Sequence, residues 1–149
     1  MKEDGSHTSE EGSTLILIIF SAALALALIL GVSAATSLYL ERKRLFSLAD
    51  GAALAASESF ELSSVVIGET GSFVRPLMTD DAVNRAAQGY IAGAGATKLD
   101  GLEISRAVTR DGRSATIELA AYWRPPVVSL FLPEGIRLSV ESTARSIFF

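Results

Sequence analysis

No charged residue occurs between Glu11 and Glu41, and within that window Leu15 to Leu30 is almost unbroken apolar sequence (LILIIFSAALALALIL). No other feature of the chain is as restrictive. Roughly 20 apolar residues cross a hydrocarbon core of about 30 Å. Each backbone polar group left unpaired there costs several kcal/mol, so such a segment has to be helical. The sequence predicts one transmembrane helix from about Thr14 to Thr36, preceded by a polar acidic tail over 1–13. A secretory signal peptide is the competing reading. It calls for a basic leader and a shorter apolar stretch, whereas MKEDGSHTSEEG sets one Lys against four acids. GVSAATS does supply the small residues that a cleavage site would use. A buried core helix would need more surrounding chain than the remainder provides.

Past Leu40 the pattern stays helical. ERKRLFSLADGAALAASESFELSS holds no proline, and Leu45, Leu48, Ala49, Ala52, Ala53 and Ala56 recur at three- and four-residue steps. The helix is expected to leave the bilayer and continue to about Ser59, giving a helical region of 14–59. Within the span, Ala23, Ala27, Gly31 and Ala35 recur every fourth residue. A small-residue face lets a second helix approach closely; equally, Ala is a common helix former and alternates with Leu here. The two stripes, Ala23/Ala27/Gly31/Ala35 and Ala49/Ala52/Ala53/Ala56, are the candidate helix-packing residues.

The remainder, 60–149, reads as a small α+β domain. Gly68 to Met78 is loop by its Gly and Pro content. Thr79-Asp80-Asp81 supplies a helix cap and an acidic first turn. Ala82, Val83, Ala86, Ala87, Tyr90, Ile91 and Ala94 then follow helical spacing, ended by Gly93 and Gly95. Two strands, Leu99–Thr109 and Ser114–Trp123, flank the hairpin signal Asp111-Gly112. In the second strand Ile117 and Leu119 alternate with Thr116 and Glu118, which predicts one buried face. Arg124-Pro125-Pro126 ends it, Val127 to Leu132 is a short apolar patch, and Ile136–Arg145 is a third strand. The expected architecture is one helix on a three-stranded antiparallel sheet that leans on the long helix for its core, since so small a domain without disulfides is hard to stabilise alone.

Several chemistries are unsupported. There is no Cys, and the one His is His7 in the polar tail, so a thiolate zinc site and a Ser-His-Asp triad both lack their parts. The net charge is −4, with no basic patch of the kind that binds phosphates. No cofactor, metal, nucleic acid or small-molecule substrate is implied. Glu58 and Glu61 have no motif around them, and Asp80-Asp81 is explained by capping. Tyr122 and Trp123 at a strand end suit core or interface, and Phe148-Phe149 suits packing on the sheet. Asp50 is either a polar partner for a basic group on a neighbouring subunit or a solvated helix residue. Arg42, Lys43 and Arg44 either meet lipid headgroups, worth about 1 kcal/mol each near anionic lipid, or are a solvated run. By the positive-inside rule that cluster alone would hold the C-terminal domain in the cytoplasm.

Taken together, Gly12-Ser13, the apolar helix Leu15 to Leu40, the basic Arg42-Lys43-Arg44 and the stretch Ala49-Asp50-Gly51-Ala52-Ala53-Leu54-Ala55 resemble the TadE/TadG-like pseudopilins of tight adherence (Tad, or Flp) pilus systems, nearer the TadG-like side. The resemblance covers about residues 10 to 58. It implies a non-enzymatic, single-pass, minor or accessory component of a pilus or related secretion machine. It also implies a cytoplasmic N-terminus, an extracytoplasmic domain, and other pilins, pseudopilins or assembly proteins as partners. Prepilin-like substrates carry Glu as the fifth residue after the cleaved Gly. After Gly12 that residue is Leu17; after Gly5 it is Glu10, far from the span. These two glycines are the candidate processing sites, and an unprocessed chain is the expectation. A membrane-tethered binding module is the rival reading, with a fragment from about Leu62 folding alone; an anchored enzyme is a remote third.

Overall fold

The structure, a computed structural model, describes residues 8–59, 77–95, 99–125, 129 and 132–145, with side chains from Ser13 onward. His7, most of the Gly68–Met78 loop, Glu61, the centre of the Val127–Leu132 patch and Phe148-Phe149 lie outside the described residues. The elements in chain order are α1 (Thr8–Ser57), α2 (Asp80–Gly93), β1 (Asp100–Val108), β2 (Ser114–Trp123) and β3 (Ile136–Arg145). The chain is thus α+β, with a long apolar N-terminal helix, as its periodicities predict.

Helix α1 is 50 residues long. It begins at Thr8 rather than Thr14, so part of the expected tail is helical. It ends at Ser57 rather than Ser59, where serines take over the last carbonyls. Ser57 Oγ donates to Leu54 O at 2.8 Å, and Ser59 donates to Ala56 O through both N (3.1 Å) and Oγ (2.7 Å).

The chain divides into two units, Met1–Ser37 and Leu38–Phe149. In the first, every described side chain is exposed except the half-buried Ala34. Two of its hydroxyls bond back to the helix: Ser21 Oγ donates to Ile18 O and Thr36 Oγ1 to Val32 O, both at 2.9 Å. That arrangement lets a hydroxyl sit in an apolar medium without an orphaned donor.

The second unit holds the core. Its sheet has the order β1-β2-β3, antiparallel throughout. The β1–β2 turn forms at Asp111-Gly112, with Gly112 at φ +67°. The Asp111 carboxylate accepts from Arg113 N, Ser114 N and Ser114 Oγ. On one sheet face, Ile117, Leu119 and Ala121 of β2 and Val140 of β3 meet Val83 and Ala87 of α2. The same cluster takes in Leu45, Ala49, Ala52, Ala53 and Ala56 of α1, all fully buried. Two helices therefore contribute to the core beside the sheet, α2 and the long helix on which the domain was expected to lean. Helix α2 is fixed at its start by the Thr79 cap, whose Oγ1 accepts from Ala82 N at 3.3 Å. Asp80 Oδ1 reaches beyond its own helix to accept from Thr109 N at 2.7 Å, and Met78 N donates to Gly112 O at 2.9 Å. The acid expected to cap α2 thus also ties it to the hairpin.

Strict alternation fails on β2, because it is the central strand. Thr116 is buried along with Ile117, through a 2.9 Å hydroxyl contact with Thr143 opposite.

Candidate functional site

Three groups of residues singled out by sequence lie on α1. Ala23, Ala27, Gly31 and Ala35 are all exposed, and nothing lies within 4 Å of a Cβ added at Gly31. Leu15, Ile16, Leu17, Ile18, Ile19 and Phe20 are more than half exposed, as are Leu24, Leu26, Leu28 and Ile29 farther along. Among the described residues this is the one stretch long and apolar enough to cross a membrane, which fits a single-pass membrane protein.

The second stripe has the opposite fate. Ala49, Ala52, Ala53 and Ala56 have no exposed surface left, because the chain's own sheet and α2 cover them. The contact with neighbouring subunits expected of this face is occupied from within. An alanine stripe states that something packs closely there, and the sheet is what does.

Asp50, one residue along, is exposed. Its Oδ1 accepts from Ser142 Oγ of β3 at 3.0 Å, a tie between α1 and the sheet. Gly51 lies under the ring of Tyr90 from α2; a Cβ there would overlap the ring. Arg42, Lys43 and Arg44 are exposed, and Arg44 pairs with Glu41 at 3.5 Å. Gly12 lies within helix α1, and Gly5 falls outside the described residues. Trp123 is buried in the core unit, while Tyr122 sits on the opposite sheet face with the Arg124 guanidinium 5.7 Å from its ring centre. No three His, Cys, Asp or Glu side chains gather among the described residues.

One polar feature was missed by sequence reasoning. The sheet face turned away from the helices carries ion pairs that cross from edge to edge over β2. Arg137 of β3 reaches Glu103 of β1 at 2.6 Å and Ser105 at 3.2 Å. Arg106 of β1 pairs with Glu141 of β3 and approaches Glu118 of β2 at 3.6 Å, and Arg124 meets Asp100 at 2.8 Å. Ala120 and Ser139, paired on the middle and edge strands, are small enough to let the long side chains meet above them. This explains how Ala120 is fully buried on the polar side. The bond from Glu103 raises the Arg137 pKa above its ordinary value. Outward-facing Glu118 and Glu141 directly opposite each other were the available signal: two like charges in register call for a cation between them.

A long apolar helix that fits a single membrane span thus precedes a small α+β domain. Residues 12–58 match the family model described as Tad: Putative Flp pilus-assembly TadE/G-like. Over that segment, about a third of the chain, it is similar to the TadE/G-like family, and this supports a pilus-associated component. The description joins the TadE-like and TadG-like sides without separating them. The family is one of structural pilus-assembly proteins rather than enzymes. No curated protein and no solved structure matches the chain.

Proposed function

We propose that the chain is a pseudopilin-like minor or accessory component of a Tad/Flp-type pilus or related secretion machine. Its N-terminus is cytoplasmic, its C-terminal domain is extracytoplasmic, and it works by packing its membrane helix against other pilus components. The observation that carries this reading is that the matched segment 12–58 falls on a helix whose apolar half is exposed among the described residues. The exposed Ala23/Ala27/Gly31/Ala35 stripe is the lateral contact in the bilayer, where close approach of small residues supplies packing that lipid-facing leucines do not.

Gly31→Leu tests it. The site is open within the chain, so the variant is expected to insert and fold normally and to lose pilus assembly. Assembly at the unaltered level would refute the packing role. Protease digestion of a C-terminal tag from outside intact cells tests the orientation; protection until lysis would place the domain in the cytoplasm.

The rival, a binding module on a replaceable anchor, predicts that a fragment from about Leu62 folds alone. Five fully buried α1 residues from Leu45 to Ala56 oppose it. Such a fragment lacks one wall of its core.

A further inference from the structure

Helix α1 leaves its charge-free run at Leu40, and the next four residues, Glu41 to Arg44, are all charged. The structure sorts these charges onto different faces. Leu38, Glu41 and Leu45 follow one another at steps of three and four on a covered face: Leu45 is fully buried, Leu38 is half-buried, and the Glu41 side chain keeps 19% of its surface. Arg44 turns to this face and pairs with Glu41 at 3.5 Å. Tyr39, Arg42 and Lys43 fall together in a neighbouring sector about 100° wide. All three are exposed, Tyr39 by 65%. Neither Arg42 nor Lys43 has an ion-pair partner among the described residues. The covered face thus balances its charge within the chain, and the open one keeps two unbalanced cations just beyond an aromatic ring.

We infer that Tyr39, Arg42 and Lys43 form a binding site for the headgroup of an anionic phospholipid. The inference goes beyond the pilus role and needs only that the apolar run spans a bilayer. Side chains on an α-helix lean toward its N-terminus. For Arg42 and Lys43 that is the membrane side, so both reach back toward the end of the run. Their Cα atoms stand about 5 Å farther along the axis than that of Tyr39. A guanidinium takes two oxygens of one phosphate through parallel N–H bonds, and an ammonium adds a compact charge beside it. The phenol ring, apolar in its body and polar at its tip, suits the level between acyl chains and headgroups. A free phosphate ion would leave that ring and the apolar run below it unused. An acidic protein surface would need the site to stand clear of the bilayer, whereas it follows the span without a break. A zwitterionic lipid brings its own cation and leaves these two less to neutralise. A headgroup of net negative charge is the chemistry that fits. The site is not the whole basic run: Arg44 stands outside it, and Tyr39 belongs to it.

The full chain, purified in a neutral detergent, is to be offered phosphatidylglycerol and phosphatidylcholine of identical acyl chains in equal amounts, and the bound lipids counted by native mass spectrometry. Phosphatidylglycerol is expected to predominate. Arg42→Gln and Lys43→Gln should each lower its excess over phosphatidylcholine about fivefold. Arg44→Gln removes a cation already paired within the chain and should lower it less than about twofold. All three positions are exposed, and unchanged emission from the buried Trp123 shows that each variant is folded. Equal binding of the two lipids by the native chain would overturn the inference; it is the result expected if an acidic protein surface or solvent covers the face. An effect of Arg44→Gln as large as that of Lys43→Gln would overturn it too, by showing an indifferent run of charge. Release of bound phosphatidylglycerol by an excess of inorganic phosphate would show a soluble-anion site and overturn lipid as the ligand. Tyr39→Ala should weaken both lipids alike, because its ring serves the level below the headgroup; unaltered binding in that variant would overturn its place in the site.

Discussion

Helix α1 carries two alanine stripes of similar make, and they meet opposite fates. Ala23, Ala27 and Ala35 lie open along an apolar half, whereas Ala49, Ala52, Ala53 and Ala56 are sealed under a sheet. The residues themselves do not differ; what surrounds them does. Before Leu38 the helix is apolar all round, and in that setting alanine is the small residue among leucines. Beyond Leu38 one face is small and apolar and the other carries charge, the signature of a helix with a wet side and a packed side. Small-residue periodicity marks close approach and leaves the identity of the approaching surface to the rest of the chain.

Cutting a leucine on each half should separate the two most strongly. Leu45→Ala empties a fully buried site and is expected to destabilise the domain by about 2–5 kcal/mol; Leu28→Ala should leave it within about 0.5 kcal/mol. Denaturation of the full chain in detergent, followed through its single tryptophan, the buried Trp123, reads both. Equal losses would mean that the halves are not distinct. Overfilling gives the converse test. Ala52→Leu should cost about 1–3 kcal/mol by forcing the helix off the sheet, while Ala27→Leu leaves the Trp123 transition in place.

A finer test concerns Gly51, a glycine in a helix interior where alanine would ordinarily be favoured by about 1 kcal/mol. The ring of Tyr90 occupies the space of the missing Cβ. Gly51→Ala is therefore expected to destabilise the native chain and to stabilise a Tyr90→Ala chain. This change of sign is measurable as a coupling energy of about 1 kcal/mol or more in a double-mutant cycle. The same sign in both backgrounds would show that Tyr90 swings aside freely.

Much of the second unit is written in its punctuation. Thr79, Asp111-Gly112, Arg124-Pro125 and Pro133-Glu134-Gly135 bound α2, β2 and β3 where the structure bounds them. Strand β1 follows its pattern in extent but not in register. Its pairing shifts between Asp100 and Glu103 and again between Ile104 and Arg106. The first shift falls beside Gly101 at φ +59°, where a Cβ would stand 2.9 Å from the Tyr122 ring. Such shifts depend on cross-strand neighbours, which a single strand's sequence does not contain. The ion pairs over Ala120 were hidden for the same reason. On the candidate site, the apolar helix was plain.

The smallest expected effect sets two exposed aspartates with serine partners against each other. Asp50 accepts one bond from Ser142. Asp111 collects the Ser114 hydroxyl and then the amides of Arg113 and Ser114, which hold its carboxyl well below the usual carboxylate range. A carboxylate whose folded pKa is depressed binds its proton more weakly in the folded chain than in the unfolded one. Its stabilising contribution is therefore complete above the ordinary carboxylate range. It is lost as pH falls through that range toward the lowered value. Asp111→Asn should leave the Trp123 transition slightly destabilised at neutral pH and flatten its dependence on pH below about 4, where the native chain loses this part of its stability. An acid slope kept unchanged in Asp111→Asn would show that the hairpin-turn carboxylate does not set the pH dependence.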